Sequence, residues 1–401
     1  MKKPSILIIF LTVFIDLIGF GLILPLFPIF TKNLHAPGWM IGGILASYSL
    51  MQFIFSPVWG RLSDRIGRRP ILLGSTACAT VSYALFAYGC GLKDEKALWI
   101  ILASRMIAGI CGANITVAQA YIADITPPEK RSARMGLIGM AFGLGFIFGP
   151  ALGAVSISLF GLSGPGWTAA TLCALNFVSA LIILRESWTP AVHYVQQRAH
   201  FAQFLHTMRQ PALGVLIGIF FLATFAFTCF ETTVGFLVGE VFHLDLTLDK
   251  NVQTVMWLIV YCGVLGALVQ GGLTGRLVKK MGEPKLISMS LIMAAIGIGA
   301  MPYSKTWAIF LIGLGIFAIG SSLTRPPVFG MISLLTPPNE QGATMGVAQS
   351  IGSMARILGP IFAATLYDKH PALPYLVCAI VLFITGLLAL QHLRRAEPVK
   401  T

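Results

Sequence analysis

The chain has 401 residues, of which 56% are hydrophobic and only 11% charged, with a formal net charge of +13 and a mean hydropathy of +0.82. A soluble globular domain of ordinary make-up, about a quarter charged, is excluded. This is the composition of a polytopic membrane protein, in which each span needs about 20 apolar residues.

Twelve apolar segments follow one another near residues 5–30, 39–59, 70–91, 98–123, 135–160, 166–184, 211–239, 252–274, 285–303, 307–333, 345–367 and 373–393. They are expected to be helices, because a lipid-facing backbone must satisfy its own hydrogen bonds, and open strands cannot. The first, behind Lys2 and Lys3, is too long for a signal peptide and has no small-residue cleavage site after it, so it is expected to remain as a span.

Asp16 lies about ten residues into that first span, hence about 15 Å along a helix and near mid-bilayer. An acid there costs roughly 2.5–3.5 kcal/mol on insertion scales, so a function or a specific partner is expected. Gly19, Gly21 and Pro25 loosen the chain around it in the manner of midplane sites. Burial favours the neutral acid, which suits a group that alternately holds and releases a proton. The competing reading is a structural salt bridge.

Between the second and third spans stands Gly60 to Arg69, GRLSDRIGRR, a basic cluster between two uncharged stretches. It reads as a hairpin at the membrane surface. Asp64 sits among Arg61, Arg65, Arg68 and Arg69, while Gly60 and Gly67 allow a tight turn and close backbone approach. A signal for topology alone would need neither the carboxylate nor the glycines.

Arg105 lies about seven residues inside the fourth span, where neutralising an acid or binding an anion is expected of it. The fifth span carries Gly139, Gly143, Gly145, Gly149, Pro150 and Gly153, a nearly smooth face that lets helix backbones approach. With Pro150 inside it, a bending or sliding contact between the halves is expected there. Glu186 to Gln210 is polar and carries His193, His200 and His206 at spacings that suit no metal site, so it reads as a surface-lying linker.

In the seventh span Glu231 is placed toward the side opposite the linker. Arg356 lies in the eleventh span near Gly359-Pro360 and is expected to pair with an acid; Arg325, before Pro326-Pro327, is expected to snorkel to the surface. All seven cysteines fall in apolar segments without C-x-x-C spacing and are read as packing residues.

The second half echoes the first. Gly275, Arg276, Leu277 and Gly282 repeat Gly60, Arg61, Leu62 and Gly67 at an offset of 215, and Thr126-Pro127-Pro128 through Gly149-Pro150 recur at an offset of 210. The chain is a duplicated unit, divided as residues 1–185, a linker 186–210, and residues 211–401. Alternate loops then place nineteen basic residues on one face and six on the other, so both termini and the Gly60 hairpin are expected to be cytoplasmic. The positive charge is mainly topological, and nucleic-acid binding is not expected. With no Walker sequence and no G-x-S-x-G elbow, neither a primary pump nor a hydrolase is expected.

These residues resemble the major facilitator superfamily, and within it the twelve-helix drug/proton antiporters that include the tetracycline exporters. Gly60 to Arg69 resembles the superfamily's signature between spans 2 and 3, Arg105 with Gly109 its span 4 motif, and Gly145, Gly149, Pro150 and Gly153 the span 5 antiporter motif. Phe14 to Pro25 and Tyr121 to Gly136 are most similar to the tetracycline group. The resemblance implies an all-α integral membrane fold of two six-helix repeats and proton-driven efflux of a small organic compound, with no cofactor beyond the gradient. It implies no metal and no enzymatic activity, and a monomer would suffice. Asp16, Arg105, Glu231 and Arg356 are the expected proton and substrate site. Gly60, Asp64, Arg65, Gly67, Arg68, Arg69 and Asp124 are the expected conformational latch. Ser82 stands where the tetracycline group carries a further acid, and span 9 has none, so the likeness leaves open whether tetracycline is a cargo. Transport of a metabolite, or a non-transporting receptor on the same fold, are the alternatives.

Overall fold

The computed structural model describes residues 6–23, 38–92, 96–112, 114–187, 200–244 and 249–393. Pro25, Lys32, His193, Arg198 and the basic residues at both ends lie outside them. Every regular element among the described residues is helical. The first repeat contains α1 (Ile6–Ile23), α2 (Gly38–Ile66), α3 (Arg68–Gly91), α4 (Lys96–Cys111), α5 (Asn114–Ile125), α6 (Arg131–Phe160) and α7 (Gly164–Ile183). The amphipathic α8 (His200–Arg209) lies in the linker. The second repeat contains α9 (Pro211–Phe242), α10 (Asp249–Leu268), α11 (Thr274–Met281), α12 (Glu283–Ala300), α13 (Trp307–Leu335), α14 (Gln341–Tyr367) and α15 (Leu373–Leu393).

Among the described residues nine helical stretches are long and apolar enough to cross a membrane. The stretch Lys96–Ile125 takes in α4 and α5; in the stretch Trp257–Met281, a π turn at Val269–Leu273 links α10 to α11. With α1, α2 and α14 in the three other apolar segments, the twelve-span reading stands, and the protein is a multi-pass integral membrane protein.

The hairpin is tighter than its sequence suggests. α2 continues through the basic cluster to Ile66, and only Gly67, at φ 98°, breaks it before α3 begins. That left-handed backbone is open to glycine and costly for side chains. Gly282, at φ 79°, makes the same break between α11 and α12, so the duplication is visible in the backbone.

Two compact units result. The first comprises residues 1–127, 144–204 and 336–353; the second comprises 128–143, 205–335 and 354–401. The contact units therefore cross the sequence duplication: α6 and α14 each contribute to both.

In lipid no hydrophobic force pulls helices together, so small residues and hydrogen bonds do. In the first unit, α3 packs on α4 and α7 around Phe86, Tyr83 and Cys173. Gly166 lets α7 close on the backbone of Ala87, where an added Cβ would stand 2.8 Å from its Cα. In the second unit α12 lies between α13 and α15. Ser288 donates to the carbonyl of Gly386 at 2.6 Å, and an added Cβ on Gly297 would reach the Gly313 carbonyl at 2.7 Å.

The reading of all seven cysteines as packing residues is corrected. Cys78 and Cys111 form a disulfide between α3 and α4, their Cα atoms 6.0 Å apart, because the register of the two neighbouring helices brings these positions face to face. The other five are free.

Candidate functional site

The basic hairpin organises a cluster of acids and helix ends in the first unit. Asp64, buried, accepts hydrogen bonds from the amides of Gly342 at 2.9 Å and Ala343 at 2.7 Å, in the first turn of α14. Those amides have no partner within their own helix, and the helix dipole favours an anion there. Gly60 is needed for the approach: its α-carbon lies against the carbonyl of Gly342, leaving no room for a Cβ. Burial pushes the Asp64 carboxyl up in pKa, while the Arg68 guanidinium and the two amides pull it back.

Arg68 is fully buried, at 0% exposure. It forms an ion pair with Asp64 and another with Asp124, its Nε 3.0 Å from Asp124 Oδ2. Ser187 adds a hydrogen bond to the same Asp124 oxygen at 3.1 Å. One residue that sequence reasoning missed is Glu186. Its carboxylate accepts from the amides of Arg68 at 2.8 Å and Arg69 at 3.1 Å, so it caps α3 as Asp64 caps α14. Arg69 also reaches the Leu181 carbonyl at 2.8 Å, and Arg65 is exposed. The second repeat lacks this arrangement, since Lys279 stands where the offset of 215 would put an Asp64 counterpart. There Glu283 instead receives a hydrogen bond from Ser132 at 3.0 Å.

Deeper in the same unit Asp16 lines a cavity of about 50 Å³ with Tyr48, Gln52, Ser75, Tyr83 and Cys111. Water needs at least about 10–15 Å³ on this measure, so the space suits a few waters. The Cys173 thiol approaches Asp16 Oδ1 at 3.8 Å, and Asn176, near the carboxyl, donates to the Thr12 carbonyl at 3.1 Å. Among the described residues Asp16 forms no salt bridge. Arg105 is buried beside Tyr83 and Phe86, its guanidinium carbon 5.5 and 4.9 Å from their ring centres. Tyr83 adjoins both Asp16 and Arg105 and was not anticipated; a tyrosine in an apolar span carries no sequence signal of such a role. Ser82 donates to the Ser104 carbonyl at 2.7 Å and ties α3 to α4.

The second unit holds the other expected pair. Glu231, about two-thirds of the way along α9, lies within electrostatic range of Arg356 on α14. The expected snorkelling of Arg325 is corrected: its guanidinium lies against the rings of Phe142 and Phe220, because those rings offer a closer cation–π environment than the surface.

The smooth face of α6 has two partners. Gly145, Gly149 and Gly153 meet α1, with an added Cβ on Gly149 only 2.6 Å from Gly21 and one on Gly145 2.9 Å from Leu17. Contact with the second repeat falls instead to Gly136, Gly139 and Gly143, which face Gln270 and Gly263 within the second unit.

The comparisons agree with this architecture. The human organic anion transporter MFSD10 (TETRAN) has a similar solved structure, with a TM-score of 0.80 and 24% identity, covering 97% of this chain and 99% of that one. The class C tetracycline resistance protein of Escherichia coli is 32% identical over 381 residues, covering 92% of this chain and 91% of its own length. Multidrug resistance protein 2 of Bacillus subtilis (strain 168) is 28% identical over 96% of this chain and 94% of its own. The sequence profile of the Major Facilitator Superfamily matches residues 9–287 and 247–401. The chain belongs to that superfamily of transporters.

Proposed function

We propose that this transporter exports a small organic compound in exchange for protons, by alternating access of residues 1–185 and 211–401. The observation that carries the reading is Asp16, an intramembrane acid beside a water-sized cavity and without a salt bridge among the described residues. Such an acid can take up and release a proton where a paired one cannot readily do so. The names of the relatives, tetracycline and multidrug resistance proteins, favour export of a drug-like cargo. The excess of basic residues on one face favours cytoplasmic termini and a cytoplasmic α2–α3 hairpin, and the bacterial relatives favour the bacterial inner membrane.

Purified protein in proteoliposomes with an acidic lumen should accumulate at least one compound from a panel of drugs and metabolites, and a protonophore should abolish the accumulation. Specific binding without flux across the whole panel would identify a receptor instead.

In this reading Asp64, with Arg68, Asp124 and Glu186, holds one conformer through the first turn of α14. A hydrogen bond to a charged group contributes about 1.5–3 kcal/mol, and Asp64→Asn removes the charge from two of them. The conformer should lose population by about tenfold or more. Labelling of a cysteine placed at buried Val347, in a background with the five free cysteines changed to serine, should rise accordingly. Unchanged labelling and transport would reduce the hairpin to a topology signal.

A further inference from the structure

Among the described residues of the second unit, one cation inside a span has no acid bound to it. Arg325, in the interior of α13, has its guanidinium carbon 5.0 Å from the ring centre of Phe142 and 5.2 Å from that of Phe220. Phe220 is braced edge-on by Phe329, with ring centres 4.8 Å apart. Contact with ring faces leaves the N–H donors of the guanidinium to be satisfied elsewhere. The Nε is buried and has no hydrogen-bond partner among the described residues, and Arg325 forms no salt bridge among them. Its charged neighbour is Arg356, of like sign, while Glu231 acts on Arg356. Neither arginine is fully buried.

A guanidinium with an unpartnered Nε donor, within electrostatic range of a second guanidinium and beside aromatic rings, matches one ligand chemistry. A planar carboxylate or a sulfonate supplies acceptors in the fork geometry that arginine presents. The partly exposed ring of Phe142 supplies apolar surface for an aromatic body, while Phe220 is buried. A cation would meet repulsion from both arginines, with only Glu231 to offset it. We propose that Arg325 and Arg356 recognise the anionic group of the transported compound, whose class is therefore an aromatic carboxylate or sulfonate. The recognition is a binding property, and its meaning for cargo rests on the transport reading above.

Three matched probes separate the possibilities: 1-naphthoate, the neutral 1-naphthamide and the cationic 1-naphthylmethylammonium, each measured for binding to the purified full-length protein by equilibrium dialysis. Naphthoate should bind about tenfold or more tightly than either other probe. Arg325→Gln should weaken naphthoate binding by about tenfold, and Arg325→Lys by less, since it keeps the charge and loses the fork. Arg356→Gln should also weaken it. Each variant is accepted only with a wild-type elution profile, and the wild-type ranking of the three probes needs no variant at all. Equal or tighter binding of the ammonium probe, no binding of naphthoate, or full affinity in well-folded Arg325→Gln would overturn the assignment. Naphthoate bound through the arginines, with no compound of the panel moved by a proton gradient, would leave this site standing and remove the exporter reading. Proton-driven flux of the neutral or cationic probe alone would do the reverse.

Discussion

Asp16→Asn is expected to abolish proton-driven accumulation in proteoliposomes while sparing some passive exchange of the same compound. The substitution keeps the shape of the side chain and removes only its ability to carry a proton. The partners seen in the structure, the Cys173 thiol and the Asn176 amide, are neutral and can meet an amide as well as a carboxyl, so folding should survive. Coupling should not. Exchange requires that a proton be bound in one conformer and released in the other, and an amide cannot take part in that cycle. Flux driven by the gradient should fall below about a tenth of wild type, a change equivalent to at least about 1.4 kcal/mol. Asp16→Glu should be partly active, because it retains the titration but misplaces the carboxyl. Yield and flux are measured together: a drop in yield alone marks a structural role. Full coupled transport by well-folded Asp16→Asn would transfer the role to Glu231, the other intramembrane acid.

Gly149→Leu is expected to reduce transport by about tenfold or more while leaving membrane insertion intact. Even the first carbon of a side chain there would stand 2.6 Å from the carbonyl carbon of Gly21 and 2.7 Å from its α-carbon. Backbone cannot yield as a flexible side chain does, so α1 and α6 must separate. Overpacking of this kind costs about 1–3 kcal/mol or more. The consequence for function lies in what α1 carries: Asp16 sits between one and two turns from Gly21 on the same helix, and moving the helix moves the acid and its cavity. Gly21→Ala, whose Cβ would meet the Gly145 carbonyl at 2.6 Å, should have a smaller effect in the same direction. Gly74→Ala on α3, with nothing within 4 Å, serves as the control. Normal flux by Gly149→Leu at wild-type expression would show that the two helices need not touch for transport.

The sequence by itself determined that this is a twelve-span membrane protein built by duplication, because hydropathy, charge placement and repeated spelling are read along one dimension. It marked the Gly60–Arg69 hairpin and the intramembrane charges for a similar reason: each violates the local rule that lipid-facing residues are apolar. What it left open was which faces meet. Glu186 looked like the first residue of a linker, and only folding brings its carboxylate onto the amides of Arg68 and Arg69, 117 or more positions away in the chain. The Cys78–Cys111 disulfide, the place of Tyr83 beside both Asp16 and Arg105, and the placing of Arg325 against Phe142 and Phe220 likewise depend on how neighbouring helices are rotated. A span's sequence sets which residues share a face of the helix. Side-chain packing sets where that face points, and so the tertiary structure alone decided that the glycines of α6 divide between α1 and the second repeat.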